Sequence, residues 1–190
     1  MKLSRWQTRK GEPFYKAFGL MMRGLVLTAG GEVESAVHQI TSALAAYRSM
    51  GATLLTATVL SYLAKAHASL GQFEDAWRCI GDAMRTLETT KERWCEADIL
   101  RIAAEIELQA PQRDARKAEA YFHDALEVAR RQQAKSWELR IVTSQARFWR
   151  DLGRRAEARD LLAPVYGWVT EGFDTSDLKE AKALLSELAS

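Results

Sequence analysis

Along residues 60–83 apolar and small side chains return every three or four positions, break at a glycine, and then return again. Leu60, Leu63, Ala64, His67 and Leu70 make the first stripe; after Gly71, Phe73, Ala76, Trp77, Ile80 and Ala83 make the second. Steps of three and four follow the turn of an α-helix, so the stretch predicts two amphipathic helices folded back into a hairpin. Glycine accepts left-handed backbone where the first helix must stop, and Ala64 and Ala76 leave no bulk where two helix axes approach. Such a hairpin covers only one of its sides and needs neighbours.

The same pattern occurs four times. Gly24, Ala64, Ala104 and Ala146 each precede a turn residue by seven positions, at Gly31, Gly71, Pro111 and Gly153. Ala36, Ala76, Ala118 and Ala158 follow the turns at spacings of 40, 42 and 40 residues, and Ile40, Ile80, Phe122 and Leu162 come four later. The longer interval belongs to the third turn, Pro111-Gln112-Arg113-Asp114-Ala115. Self-similarity at a fixed period of this length predicts a stack of hairpins.

A small residue, glycine seven later, alanine five after that, a large apolar residue four on, and small again at Ala43, Ala83 and Ala125 together resemble the tetratricopeptide repeat. The common repeat is about 34 residues long; at roughly 40, these repeats call for helices of about 17–19 residues, near 27 Å each. Segments Gly11–Gly24, Glu88–Arg101 and, most specifically, Glu138–Leu185 are similar to the C-terminal arrays of large bacterial signalling proteins. In those proteins the array follows a P-loop ATPase and often a nucleotide-cyclase or DNA-binding domain. No GxxxxGK[ST] loop, cyclase segment or winged helix occurs here, so those activities do not transfer. The resemblance implies an all-α, right-handed superhelical solenoid of about four hairpins with a C-terminal capping helix. It also implies a non-enzymatic scaffold for protein–protein contact, a regulatory or sensor module without a cofactor.

In chain order, residues 1–11 read as a basic, flexible lead-in and Pro13 as the first residue of a helix over 13–29. Further helices are expected at 33–50, 52–70, 73–90, 92–109, 114–133, 135–152 and 154–167, giving repeats at 12–51, 52–91, 92–134 and 135–172. Pro164 should bend or shorten the eighth. Thr175 caps a last helix within 173–190, whose Leu178, Ala181, Leu184, Leu185 and Leu188 share one side and make it a lid for the stack. The first helix is apolar on more than one side. Solenoid ends normally carry a polar face, so it is expected to pack against a second copy, an upstream domain or a ligand chain, unless the basic N-terminal segment folds over it.

Composition adds limits. The chain has 190 residues, 47% hydrophobic and 27% charged, with three prolines and a net charge of +2. Lys2, Arg5, Arg9 and Lys10 carry the positive excess, leaving no global basic field. Cys79 and Cys95 stand in helical segments without ligand spacing and read as reduced thiols, which points to the cytoplasm. Arg23 interrupts the apolar run 17–29, which argues against a signal peptide, and no stretch approaches a membrane span.

Catalytic chemistry has little footing. His38, His67 and His123 are scattered, Glu105 and Glu107 point apart on one helix, and no nucleophile motif occurs. His67 is expected to be a packed, hydrogen-bonded core residue. The resemblance instead places a groove along the first helices of the hairpins. Carried over position by position, it gives Phe18, Met21, Leu25 and Thr28; then Thr58, Ser61, Lys65 and Ala68; then Asp98, Arg101, Glu105 and Leu108; then Arg140, Thr143, Arg147 and Arg150.

That groove should run from apolar to basic and suit a peptide with an apolar stretch followed by acids. The competing reading makes Arg140, Arg147 and Arg150 a solvated face paired with Glu138 and Asp151. The lysine and asparagine clamp of chaperone-binding arrays is not matched, because Met21 and Leu25 stand where it would begin. Nucleic acid is the alternative partner: residues 110–160 hold twelve Lys and Arg against eight Asp and Glu, but interleaved and without stacking aromatics.

Overall fold

A computed structural model describes residues 5–189, with side chains from Gly11 onward. Among the described residues the secondary structure is helical, with no strand. The helices are α1 (Arg5–Gly30), α2 (Val33–Ser49), α3 (Thr56–Ser69), α4 (Phe73–Thr90), a 3-10 turn at Arg93–Cys95, α5 (Glu96–Gln109), α6 (Ala115–Arg131), α7 (Lys135–Asp151), α8 (Arg155–Gly167) and α9 (Ser176–Ala189).

Two compact units divide the chain. One runs to Cys95 and includes Gln109–Pro111; the other takes Glu96–Leu108 and everything from Gln112 onward. In the first, α1 packs on α2, α3 on α4, and α2 and α1 each on α3. In the second, α7 packs on α6, α8 and α9, and α8 on α9. Ala97 and Ala104 of α5 join the same core as Phe122, Ile141, Ala146, Leu162 and Leu184.

The small residues of the repeating pattern are buried. Ala36, Ala64, Ala76, Ala104, Ala118, Ala146 and Ala158 are all 0% exposed, and their large partners Ile40, Ile80, Phe122 and Leu162 are buried. Gly24 has no space for a side chain: a Cβ there would lie 2.2 Å from Cγ1 of Ile40.

Helices α1, α3 and α7 end in the same way. Gly31, Gly71 and Gly153 take φ of +83°, +74° and +79°. The next amide reaches back five residues in each, Glu32 to Leu27, Gln72 to His67 and Arg154 to Trp149, at 3.0, 2.9 and 2.8 Å. This closure satisfies carbonyls that the helix end leaves over, and glycine makes it without a Cβ penalty.

Three boundaries differ from expectation. The first helix begins at Arg5 and carries Pro13 inside it, so Arg5–Gly11 are helical rather than a lead-in; residues 1–4 of that expected lead-in lie outside the described residues. Residues 5–12 show no apolar rhythm, which is why the pattern gave no sign of this turn. Helix α3 starts at Thr56, four residues late, because Leu55 adopts a left-handed φ of 62° and its amide donates to the Glu92 carboxylate at 3.2 Å. Lys91 likewise turns left-handed, and the 3-10 turn occupies the expected start of α5. Helix α8 continues to Gly167 despite Pro164.

Candidate binding surface

Helix α7 holds Arg140, Arg147 and Arg150 on one side because steps of seven and three bring residues to a common face. Helix α9 lies along that face. Arg140 Nε donates to Asp177 Oδ2 at 2.6 Å, an Arg147 amino group to Glu180 Oε2 at 2.6 Å, and an Arg150 amino group to Glu187 Oε2 at 3.0 Å. Arg150 also donates to Asp151 at 2.9 Å, and the bonds to Asp151 and Glu187 raise its pKa further. The Arg140 guanidinium sits 4.8 Å from the Trp137 ring centre, which steers it toward α9.

Asp177 stands in the first turn of α9, where a carboxylate complements the exposed amides. At the other end, Arg155 of α8 donates to the Glu187 carbonyl. The apolar side of α9, Leu178, Ala181, Leu184 and Leu188, is buried in the core of the second unit. These acids are 33 to 37 residues from their arginines. Local spacing gave no sign of them; the visible signal was that Arg140 and Arg150, like Asp177 and Glu187, stand ten residues apart. Of the two expected partners, Asp151 does pair with Arg150, whereas Glu138 is held by Arg130 at 2.9 Å and Lys135 at 3.3 Å.

Arg101 and Glu105 lie on α5 in the same unit. Arg101 is 8% exposed and donates to Asp98 at 2.7 Å and to Glu105 at 2.5 Å, while Ser144 of α7 donates to Glu105 at 2.7 Å. This network ties α5 to α7 and leaves Arg101 little surface to offer a ligand.

In the first unit, Met21 is 0% exposed and Thr28 is buried, its hydroxyl donating to the Gly24 carbonyl at 3.0 Å. Phe18 and Phe14 pack on Tyr47 of α2 with ring centres 6.4 and 5.2 Å apart. Burial, then Glu92, raises the Tyr47 hydroxyl pKa. Leu25 and Lys65 are half-buried. The apolar and basic sets thus occupy different units, and Met21 is core rather than surface. Histidine 67 is also half-buried rather than packed inside, with Nδ1 2.6 Å from Gln72 Oε1.

Searches against protein-family models and curated proteins return no match for the chain. The surface must be read on its own chemistry.

Other features were missed by the pattern. Arg154 donates to Glu157 and Glu119, both at 2.6 Å, and lies 4.4 Å from the Trp149 ring centre, while Trp149 Nε1 donates to Glu119 at 3.0 Å. These bonds raise the Arg154 pKa, and Arg154 lowers that of Glu157. An open depression of about 510 Å³ is lined by Arg130, Gln133, Lys135, Glu138 and Trp168, and another of about 410 Å³ lies between α1 and α2. His123, Asp124 and Glu127 bring ligand atoms within 4.8 Å of one another, fully on the surface of α6. Among the described residues, no helix is long and apolar enough to cross a membrane.

Proposed function

We propose that the chain is a helical-repeat scaffold of the tetratricopeptide type, acting without catalysis, that holds a protein or peptide partner carrying an acidic segment. The observation that carries this reading is the α7 face itself: three guanidinium groups at helical spacing, each already seated on a carboxylate of a neighbouring helix. A surface that binds one acidic helix has the geometry to bind another. The burial of every small marker residue supports the repeat register.

A regulatory role in a cytoplasmic signalling assembly fits the resemblance to bacterial sensor arrays. A second copy is a candidate neighbour for α1, on which Tyr15 and Val26 are 71% and 70% exposed. Nucleic acid is the poorer partner, because the twelve Lys and Arg of residues 110–160 are interleaved with eight Asp and Glu, which breaks up a continuous basic track.

Affinity capture with the wild-type chain and an Arg140→Gln/Arg147→Gln/Arg150→Gln variant tests the surface. The variant should lose a partner that the wild type retains. An Asp177→Asn/Glu180→Gln/Glu187→Gln variant breaks the same pairs but keeps the arginines, and should retain it. Equal recovery by all three chains would place the partner elsewhere.

A further inference from the structure

The geometry points to α9 as a built-in stand-in for the partner, and so to the partner's form: an acidic amphipathic helix that lies parallel to α7 and replaces α9 on it. This rests on the proposed reading of the arginine face as a binding surface.

Arg140 pairs with Asp177 and Arg150 with Glu187, so both helices advance ten residues between these contacts. They therefore run parallel and in step over about 15 Å. On α9 the acids occupy the first, fourth and eleventh positions counted from Asp177. Leu178, Leu184 and Leu188, each buried, fill the second, eighth and twelfth. A partner helix with that spacing meets the arginines and the apolar strip beside them at the same time.

The ion pairs of this seam also stand in contact with water. Asp98 and Arg101 have side chains only 3% and 10% exposed, and the Glu138 carboxylate 2%. Across α7 and α9 the six charged side chains are 27–51% exposed. Ion pairs in contact with water contribute little each and weaken as salt rises, so this contact opens before the buried ones. The connection into α9 is non-helical through Thr175, and Trp168, Phe173 and Gly172 are exposed along it.

Tethering gives α9 an effective concentration of order millimolar, so a free copy of it competes poorly with the resident helix. Weakening the resident helix should therefore uncover the site. The probe is a fluorescein-labelled peptide with the sequence of residues 174–189, titrated by anisotropy into the full chain. A chain bearing Asp177→Lys, Glu180→Lys and Glu187→Lys should bind it at least about tenfold more tightly than wild type does. The gain should fall between about 50 and 500 mM salt and vanish when the peptide carries the same three reversals.

Equal binding of the acidic and reversed peptides, or no binding by a reversed chain that keeps its helical circular dichroism, overturns the inference. Should the reversed chain lose its helical signal, the Asp177→Asn/Glu180→Gln/Glu187→Gln chain takes its place, and absence of any gain overturns the inference equally. Hydrogen exchange on the wild-type chain adds an arm without substitution: α9 amides should exchange at least about tenfold faster than those of α7, and equal protection counts against it. If the peptide fails while capture remains arginine-dependent, the stand-in falls and the scaffold surface stands. Capture indifferent to the arginines removes the surface itself.

Discussion

Gly24 has no room for a side chain. Its missing Cβ would meet Ile40 at 2.2 Å, whereas a Cβ on Gly19 of the same helix meets nothing within 4 Å. Gly24→Ala should therefore lower stability by about 1–3 kcal/mol through overpacking. Gly19→Ala should raise it by about 0.5–1 kcal/mol, since alanine is the better helix former. Urea midpoints decide: equal shifts in the same direction would mean that the α1–α2 approach is not the constraint. Cys79 offers a second check. Burial first, then Asp82, pushes its thiol up to about 11, so the folded chain favours the neutral form. An acid raised in this way contributes stability below its unfolded value near 9.0, and that contribution is lost as the pH rises toward 11. At pH 8, alkylation of Cys79 in a Cys95→Ala chain should be about a hundredfold slower than that of a free thiol; reaction at the free-thiol rate would contradict its burial.

Helices were legible where packing set the rhythm. The alanines and glycines of the repeating pattern announced themselves because helices that pack closely admit only small residues, and the glycine turns because their backbone is left-handed. Illegible were the ends governed by exceptions: a helical turn without apolar rhythm before Pro13, and left-handed Leu55 and Lys91, which are not glycines. Also hidden were the α7–α9 pairs, because contacts across 33 to 37 residues leave no local trace. Pro164 sits inside α8 and removes a backbone bond there; Pro164→Ala should stabilise the chain by about 1–3 kcal/mol, and a lowered melting temperature would show that the ring is needed. Leu184 is 3% exposed on α9. Leu184→Ala should cost about 2–4 kcal/mol of α9's own protection against hydrogen exchange while leaving α7 nearly unchanged; loss spread evenly over both helices would mean that α9 is no separate layer.

At the scale of the molecule, the net charge of +2 conceals a strongly local arrangement. The basic side chains of α7 are matched by acids of α9, and the function proposed above rests on that match. Its most direct test is nuclear magnetic resonance on the full chain bearing Asp177→Asn, Glu180→Gln and Glu187→Gln, labelled with nitrogen-15 and titrated with the acidic peptide of residues 174–189, since the weakened α9 leaves the arginine face open to exchange. The Nε resonances of Arg140, Arg147 and Arg150 and the α9 amides should move together and saturate at the same peptide concentration, as one helix replaces another. Saturable shifts confined to other helices, with those three arginines and α9 unmoved, would contradict the account.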